Sequence, residues 1–253
     1  RLQLRTNRHS IEELIPQALR SKKDKKALTF SQDVEKPLVT KVFRPYTPTN
    51  GLQNRHIALW QSHGFYYEPK LNRWEWQRAR CLQTVEDLYT QSFVLPYLVP
   101  MLENAGANVL LPRERDCQTA EIIIDNDGCL NTNSTYTEHT ADKVWRQGTG
   151  KGIAHLRPQY IDFENPFKEG TFRNAETVKK GKESTAERIP EIPQNGQYAV
   201  YVSYQTVPNS SDDALYTVYH KGGVSQFKVN QKMGGSTWVY LGTFGFDAGK
   251  SNA

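Results

Sequence analysis

His56-Ile57-Ala58-Leu59-Trp60-Gln61-Ser62-His63-Gly64 is the stretch around which this chain is organised. An apolar run that stops abruptly at Ser-His-Gly has the form of a buried strand carrying one imidazole to the lip of a sheet, where open α/β sheets hold their ligands. Aromatic residues follow in Phe65-Tyr66-Tyr67-Glu68-Pro69 and Trp74-Glu75-Trp76. From Gln77 to Asn104 the pattern predicts a helix, with Val85, Leu88, Tyr89, Phe93, Tyr97, Leu98, Met101 and Leu102 recurring at three and four. Pro96 and Pro100 must kink that helix or split it. Gly106 suits a left-handed cap, and Ala107-Asn108-Val109-Leu110-Leu111 reads as a second buried strand. Residues 56–111 therefore predict a βαβ unit, right-handed and with parallel strands.

Upstream, Leu2-Gln3-Leu4-Arg5-Thr6 alternates as a strand does, and its partner is expected further upstream. Ser10-Ile11-Glu12-Glu13 carries an N-cap signal for a short helix from Ile11 to Arg20. Ala27–Phe30 and Leu38–Phe43 read as short extended pieces, and Pro45, Pro48, Asn50 and Gly51 as a linker. Downstream of Ile122-Ile123-Ile124 and Asp125-Asn126-Asp127-Gly128 the texture changes, and beyond Gly148 short alternating runs replace helical periodicity. The clearest are Tyr198–Tyr204, Ala214–His220, Val224–Val229 and Thr237–Gly242, with Lys221-Gly222-Gly223 as a hairpin turn. The fold class expected is α/β followed by an all-β sandwich of jelly-roll type. Its segments are 1–50, a strand, a helix and a linker; 51–125, the α/β part; and 126–253, the sandwich.

Composition sets limits on partners. A chain of 253 residues with 37% hydrophobic residues is that of a globular protein. The net charge of +5, from 32 basic and 27 acidic residues, is spread over both halves and does not single out nucleic acid. Lys22-Lys23-Asp24-Lys25-Lys26 and Lys179-Lys180-Gly181-Lys182 read as solvated loops. Cys81, Cys117 and Cys129 have no zinc-ribbon spacing and read as buried free thiols. No apolar run is long enough to span a membrane. The first residue is Arg1 rather than Met, which fits either a removed leader or a chain trimmed at its start.

In order, Ser62-His63-Gly64, Val85-Glu86-Asp87-Leu88, Leu102-Glu103-Asn104-Ala105-Gly106-Ala107 and Val109-Leu110-Leu111-Pro112-Arg113-Glu114-Arg115-Asp116 resemble the zinc-dependent N-acetylmuramoyl-L-alanine amidases of the type 3 family. The α/β part is then an incomplete amidase-like parallel sheet. Phe163-Glu164-Asn165-Pro166-Phe167, Gly170-Thr171-Phe172, Tyr198–Tyr204 and Gly234–Gly242 resemble the golvesin C-terminal and xanthan-lyase-associated carbohydrate-binding-like domain. The first resemblance implies zinc held by His63 and Glu86, with Glu75 as a rival for the second ligand. The remaining histidine ligand and the catalytic carboxylate are expected beyond Ala253, with the sandwich inserted in the amidase domain. The second implies a strand following Gly249 that this chain lacks.

Two imidazoles and a carboxylate on zinc leave a position for water, whose acidified form attacks the lactyl amide. The function implied is that of an exported, periplasmic or cell-surface hydrolase of peptidoglycan. The alternatives are a non-catalytic protein binding peptidoglycan or another polysaccharide on a degenerate amidase scaffold, or a xanthan-lyase-like polysaccharide-processing protein. Trp145, Tyr160, Tyr201, Tyr204, Tyr219, Trp238 and Tyr240 supply either a sugar platform or cross-strand core pairs. Asp125, Asp127, Asp212 and Asp213 supply either calcium ligands or turn chemistry.

Overall fold

The computed structural model describes residues 5–6, 9–10, 36–43, 51–53, 55–112, 115, 118–130 and 133–250. The chain divides into two units, residues 1–35 and 36–253. In the first, strand β1 (Arg5–Thr6) pairs antiparallel with β2 (His9–Ser10), Arg5 opposite Ser10 and Thr6 opposite His9. Among the described residues the partner of the first strand is therefore immediately downstream, where its sequence suggested one upstream. The helix expected over Ile11–Arg20 and the extended piece at Ala27–Phe30 lie outside the described residues.

The second unit opens with β3 (Val39–Lys41) and β4 (His56–Ala58), then a hairpin of β5 (Phe65–Glu68) and β6 (Arg73–Trp76). The helix begins at Glu86, nine positions after the expected start. Leu82 and Gln83 have left-handed φ of 47° and 67° inside a tight turn closed by Cys81 and Thr84, which no helix can run through. Helix α1 (Glu86–Phe93) passes through one π turn (Val94–Leu98) into α2 (Val99–Asn104). Pro96 sits in that wide turn and Pro100 in the first turn of α2, so each ring is accommodated by a local departure from regular α geometry.

Helix α2 ends in paired reverse bonds, Gly106 N–H to Glu103 O (3.0 Å) and Ala107 N–H to Leu102 O (3.0 Å), the Schellman arrangement. Gly106 has φ 99°, and a methyl there would stand 2.9 Å from Gln53 Cα. Gly106→Ala is expected to lower stability by about 1–3 kcal/mol, read as a shift in urea midpoint. The chain then enters β7 (Asn108–Leu110), parallel to β4 in the register His56–Asn108, Ile57–Val109, Ala58–Leu110. Among the described residues this parallel pairing stops at two strands. Its core is Val99, Ala107 and Val109, covered by Leu52, Ile57, Leu59, Val94, Leu102 and Leu111.

The rest is β-structure. The strands are β8 (Thr135–His139), β9 (Arg146–Gln147), β10 (Arg173–Asn174), β11 (Thr185–Ile189), β12 (Glu191–Ile192), β13 (Gly196–Val202), β14 (Ala214–His220), β15 (Gly223–Val229), β16 (Val239–Phe246) and β17 (Gly249–Lys250). Their antiparallel pairings are nested: β9–β10 inside β8–β11, and β14–β15 inside β13–β16 inside β12–β17. The segment expected to stop short of a further strand enters one at Gly249–Lys250. On β15 the alternation is clean, with Ser225, Phe227 and Val229 buried and Val224, Gln226 and Lys228 exposed. Phe227, Val229 and Leu241 form a core to which β3, β13, β14 and β16 add Val39, Val200, Val202, Tyr216, Val218 and Phe244. A register shift between Val200 and Tyr201 leaves Leu241 without a cross-strand partner as a bulge, buried in that core.

Strand β3 is the third strand of the β14–β15 sheet, pairing Phe227 with Lys41 and Val229 with Val39. The same segment ties the β-rich part to the crossover unit. Leu38 N–H donates to His56 Nε2 (3.1 Å), Val39 N–H to Asn108 Oδ1 (3.2 Å), and Asn230 N–H to Leu38 O (2.9 Å).

Candidate functional site

Beyond β4 the chain turns through Ser62, at φ 113°, and Gly64, at φ 82°. A serine so far into positive φ is strained, and such strain persists only where surrounding structure holds it. Here the holding group is Asp87 in the first turn of α1, fully buried. Its Oδ1 accepts from Ser62 Oγ (2.8 Å) and from the His63 backbone N–H (3.1 Å), and lies 3.3 Å from His63 Nδ1. Among the described residues Oδ2 has no hydrogen-bond partner, and neither does the buried Oε1 of Gln61 two residues before His63. Burial alone would push the Asp87 carboxyl upward. The Ser62 hydroxyl, the Gly64 amide, and the imidazole and amide of His63 outweigh it and hold the acid below its usual range.

His63 itself is one third exposed. Arg78, just past β6, lies against both ring nitrogens, with Nε 3.3 Å from Nδ1 and Nη2 3.1 Å from Nε2. Arginine only donates and a neutral imidazole has one lone pair, so the guanidinium engages one of the two ring nitrogens, which one being set by the tautomer. Of the acids singled out in the sequence, Glu86 stands exposed on the first turn of α1, and Glu75 is bound by Arg73 at 2.5 Å. The acid brought to His63 is Asp87, one position after Glu86. Neighbouring helix residues point about 100° apart, and the hydrophobic pattern does not choose between two adjacent acids. Among the described residues no group of three or more His, Cys, Asp or Glu is placed to hold a metal. These residues do not by themselves make a tetrahedral zinc centre.

A second site lies in the β-rich part, an open cleft of about 400 Å³ lined by Asn126, Asp127, Tyr136, Glu138, Gln147, Thr171 and Arg173. Strands β8 and β10 place its floor: Arg173 donates twice to Glu138 (2.6 and 2.8 Å), and the Tyr136 hydroxyl donates to the same carboxylate at 2.7 Å. The Arg173 bonds hold Glu138 below the usual carboxylate range. Burial, with the Glu138 contact, pushes the Tyr136 phenol up to about 12. One wall is the Asp125–Gly128 turn. Asp127 N–H donates to Asp125 Oδ1 (2.9 Å), and both Asp127 oxygens accept from Thr171, from its hydroxyl at 2.6 Å and its amide at 2.5 Å. Both oxygens of Asp127 thus tie a turn to the neighbouring loop. Asp212 is held at about 2 by hydrogen bonds from Lys36 (2.5 Å) and Lys232 (2.9 Å). Residues 167–253 match the Golvesin C-terminal domain. Thr171 and Arg173 lie inside this golvesin-like segment, and the remaining lining residues precede it. No curated protein and no solved structure matches the chain.

The aromatic residues of the golvesin-like segment are mostly occupied. Tyr204 donates to Met233 O (2.7 Å), Tyr201 and Tyr240 pair at 5.4 Å, and Trp238 packs edge-on to Phe167 at 5.6 Å. Tyr219 alone among the seven aromatic residues singled out in the sequence is exposed; Trp145 and Tyr160 are half-buried. Of the cysteines, Cys81 is exposed and Cys129 half-buried, both as free thiols, so burial is not what keeps Cys81 unpaired. Cys117 lies outside the described residues.

Proposed function

We propose that this chain is an exported carbohydrate-binding protein of the cell surface, and that the β-rich part takes a polysaccharide, peptidoglycan among the candidates. The observation that carries this reading is the lining of the 400 Å³ cleft. Two amides, two carboxylates, a hydroxyl, a guanidinium and one aromatic ring offer donors and acceptors side by side, the chemistry that sugar hydroxyls require. The golvesin-like segment and the jelly-roll-like nesting of its strands are consistent with it, and no described helix is long and apolar enough to cross a membrane. Gln147 is exposed at the cleft rim, and its replacement leaves the Glu138–Arg173 floor intact. Gln147→Ala is expected to weaken binding to isolated peptidoglycan sacculi, or to whichever soluble polysaccharide the protein prefers, by about threefold to tenfold in calorimetry. Wild-type protein that retains none of these polymers would end this reading.

A second reading, peptidoglycan amidase, is favoured by one observation. His63 Nδ1 stands 3.3 Å from a buried carboxylate, the partner that metal-binding histidines use to hold the proton on one ring nitrogen and leave the other for the ion, a role Nδ1 takes once Arg78 Nε no longer donates to it. Zinc would be held by His63 with Glu86, or Glu75, and when bound it supplies an acidified water. Arg78 would first have to leave Nε2. Zinc near one per chain by mass spectrometry, lost in His63→Ala, supports this reading; equal metal content in both proteins removes it.

A further inference from the structure

We propose that one face of the β5–β6 ribbon is a stacking platform for a chain of pyranose rings, an inference that rests on the carbohydrate-binding reading and gives it a second site. The register sets Phe65 opposite Trp76 and Tyr67 opposite Trp74, so four rings share one face. Phe65 and Trp74 lie nearly parallel, 11° apart with centroids at 5.9 Å. Trp76 adds a tilted contact to Phe65 at 4.9 Å, and Tyr67 an edge contact to Trp74 at 5.8 Å. The other face is mainly charged, with a single ring: Arg73 holds Glu75, and the Tyr66 hydroxyl donates to Glu68.

Cross-strand rings stabilise a ribbon that has no third strand among the described residues. That role needs the rings to touch one another, not to face solvent. Yet Phe65 is 45% exposed and Trp74 50% exposed. A pyranose presents a C–H face to an aromatic ring and keeps its hydroxyls at the edge, so the two open, nearly parallel rings of Phe65 and Trp74, flanked by the half-buried Tyr67 and Trp76 and a charged rim, suit it. The aromatic face carries no aliphatic side chain. A lipid surface would instead use the tip, where the structure offers Leu71 beside Lys70.

The placement adds to the argument. The ribbon leaves the chain directly after Gly64 and is closed at its base by Gln77 N–H donating to Gly64 O (3.1 Å). A glycan on the rings thus lies next to the lip that holds His63, and Arg78 at the end of the ribbon already touches that imidazole.

The test uses the full chain with three probes: peptidoglycan sacculi, a soluble uncharged polysaccharide, and mixed zwitterionic and anionic phospholipid vesicles. Trp74→Ala is expected to weaken glycan binding about fivefold to tenfold and Trp74→Phe to change it little, with ligand quenching of tryptophan fluorescence reduced in both. Arg73→Ala, which disturbs the polar face and leaves the rings, is expected to bind as wild type. Glycan binding unchanged in Trp74→Ala overturns the platform while leaving the cleft reading in place, and Gln147→Ala reports on the cleft separately. Equal losses in Trp74→Ala and Arg73→Ala also overturn it, since the ribbon's fold and not its aromatic face would then matter. Vesicle binding that depends on Trp74, with glycan binding retained, replaces the sugar by a membrane surface. No glycan binding by wild type removes both the cleft and the platform.

Discussion

Replacing Phe227 by Ala is expected to destabilise the protein by about 3–5 kcal/mol, the range for deleting a buried ring from a packed core. Phe227 is fully buried at the centre of β15, between β14, where it pairs with Tyr216, and β3, where it pairs with Lys41. Its ring meets Phe43 edge-on at 5.5 Å and Phe244 at 6.2 Å, so it touches the segment before His63 and the facing β13–β16 sheet at once. Loss of the ring leaves a cavity where three strands and two sheets converge. Against a typical total of about 5–15 kcal/mol, that is a large share of the stability. Urea unfolding of Phe227→Ala and Phe227→Leu measures it. Leucine should recover most of the loss, and a shift of the alanine variant under about 1 kcal/mol would place Phe227 outside the packed core.

Asp87→Ala is expected to cost about 2–4 kcal/mol and to alter how stability depends on pH. The substitution removes the acceptor for Ser62 Oγ and the His63 amide, and with it the clamp on the positive-φ turn. In the folded state the Asp87 carboxyl lies below the usual carboxylate range. A depressed acid stabilises the fold fully above the unfolded value, and that contribution disappears as pH falls through the folded value. Wild-type protein should therefore lose stability below about pH 4, and the Asp87→Ala difference should shrink there. Denaturant midpoints of both proteins between pH 7 and pH 2.5 check this. A difference that stays constant across the range would show that the charge of Asp87 contributes nothing.

Both predictions depend on contacts that local sequence patterns do not contain. The parallel pairing of a βαβ unit was legible because two apolar runs flank a three-four periodic segment and Gly106 closes it, all short-range signals, whereas the register was not. So were the four strands read at Tyr198–Tyr204, Ala214–His220, Val224–Val229 and Thr237–Gly242, the last of which runs on to Phe246, and the turn at Lys221-Gly222-Gly223, whose Gly223 already belongs to β15. The aromatic ribbon at 65–76 was visible only as a cluster of rings, because no Asn-Gly or Asp-Gly pair marks its turn. The helix start was misread because two left-handed residues, Leu82 and Gln83, leave no compositional trace.

By itself the sequence determined that a strand opens the His56–Gly64 run, that an interrupted helix follows it, and that the C-terminal third has golvesin-like character; the strand itself ends at Ala58, five residues before His63, and is not buried. Periodicity, turn residues and motif order are properties of neighbouring positions, and a chain displays them without folding. Only the tertiary structure decided that β3 completes the β14–β15 sheet, that the pairings from β12 to β17 are nested, and that Asp87 is the acid turned in toward His63. Each of these joins residues far apart in sequence, and the burial of shared apolar surface and paired polar groups selects among partners that look locally equivalent.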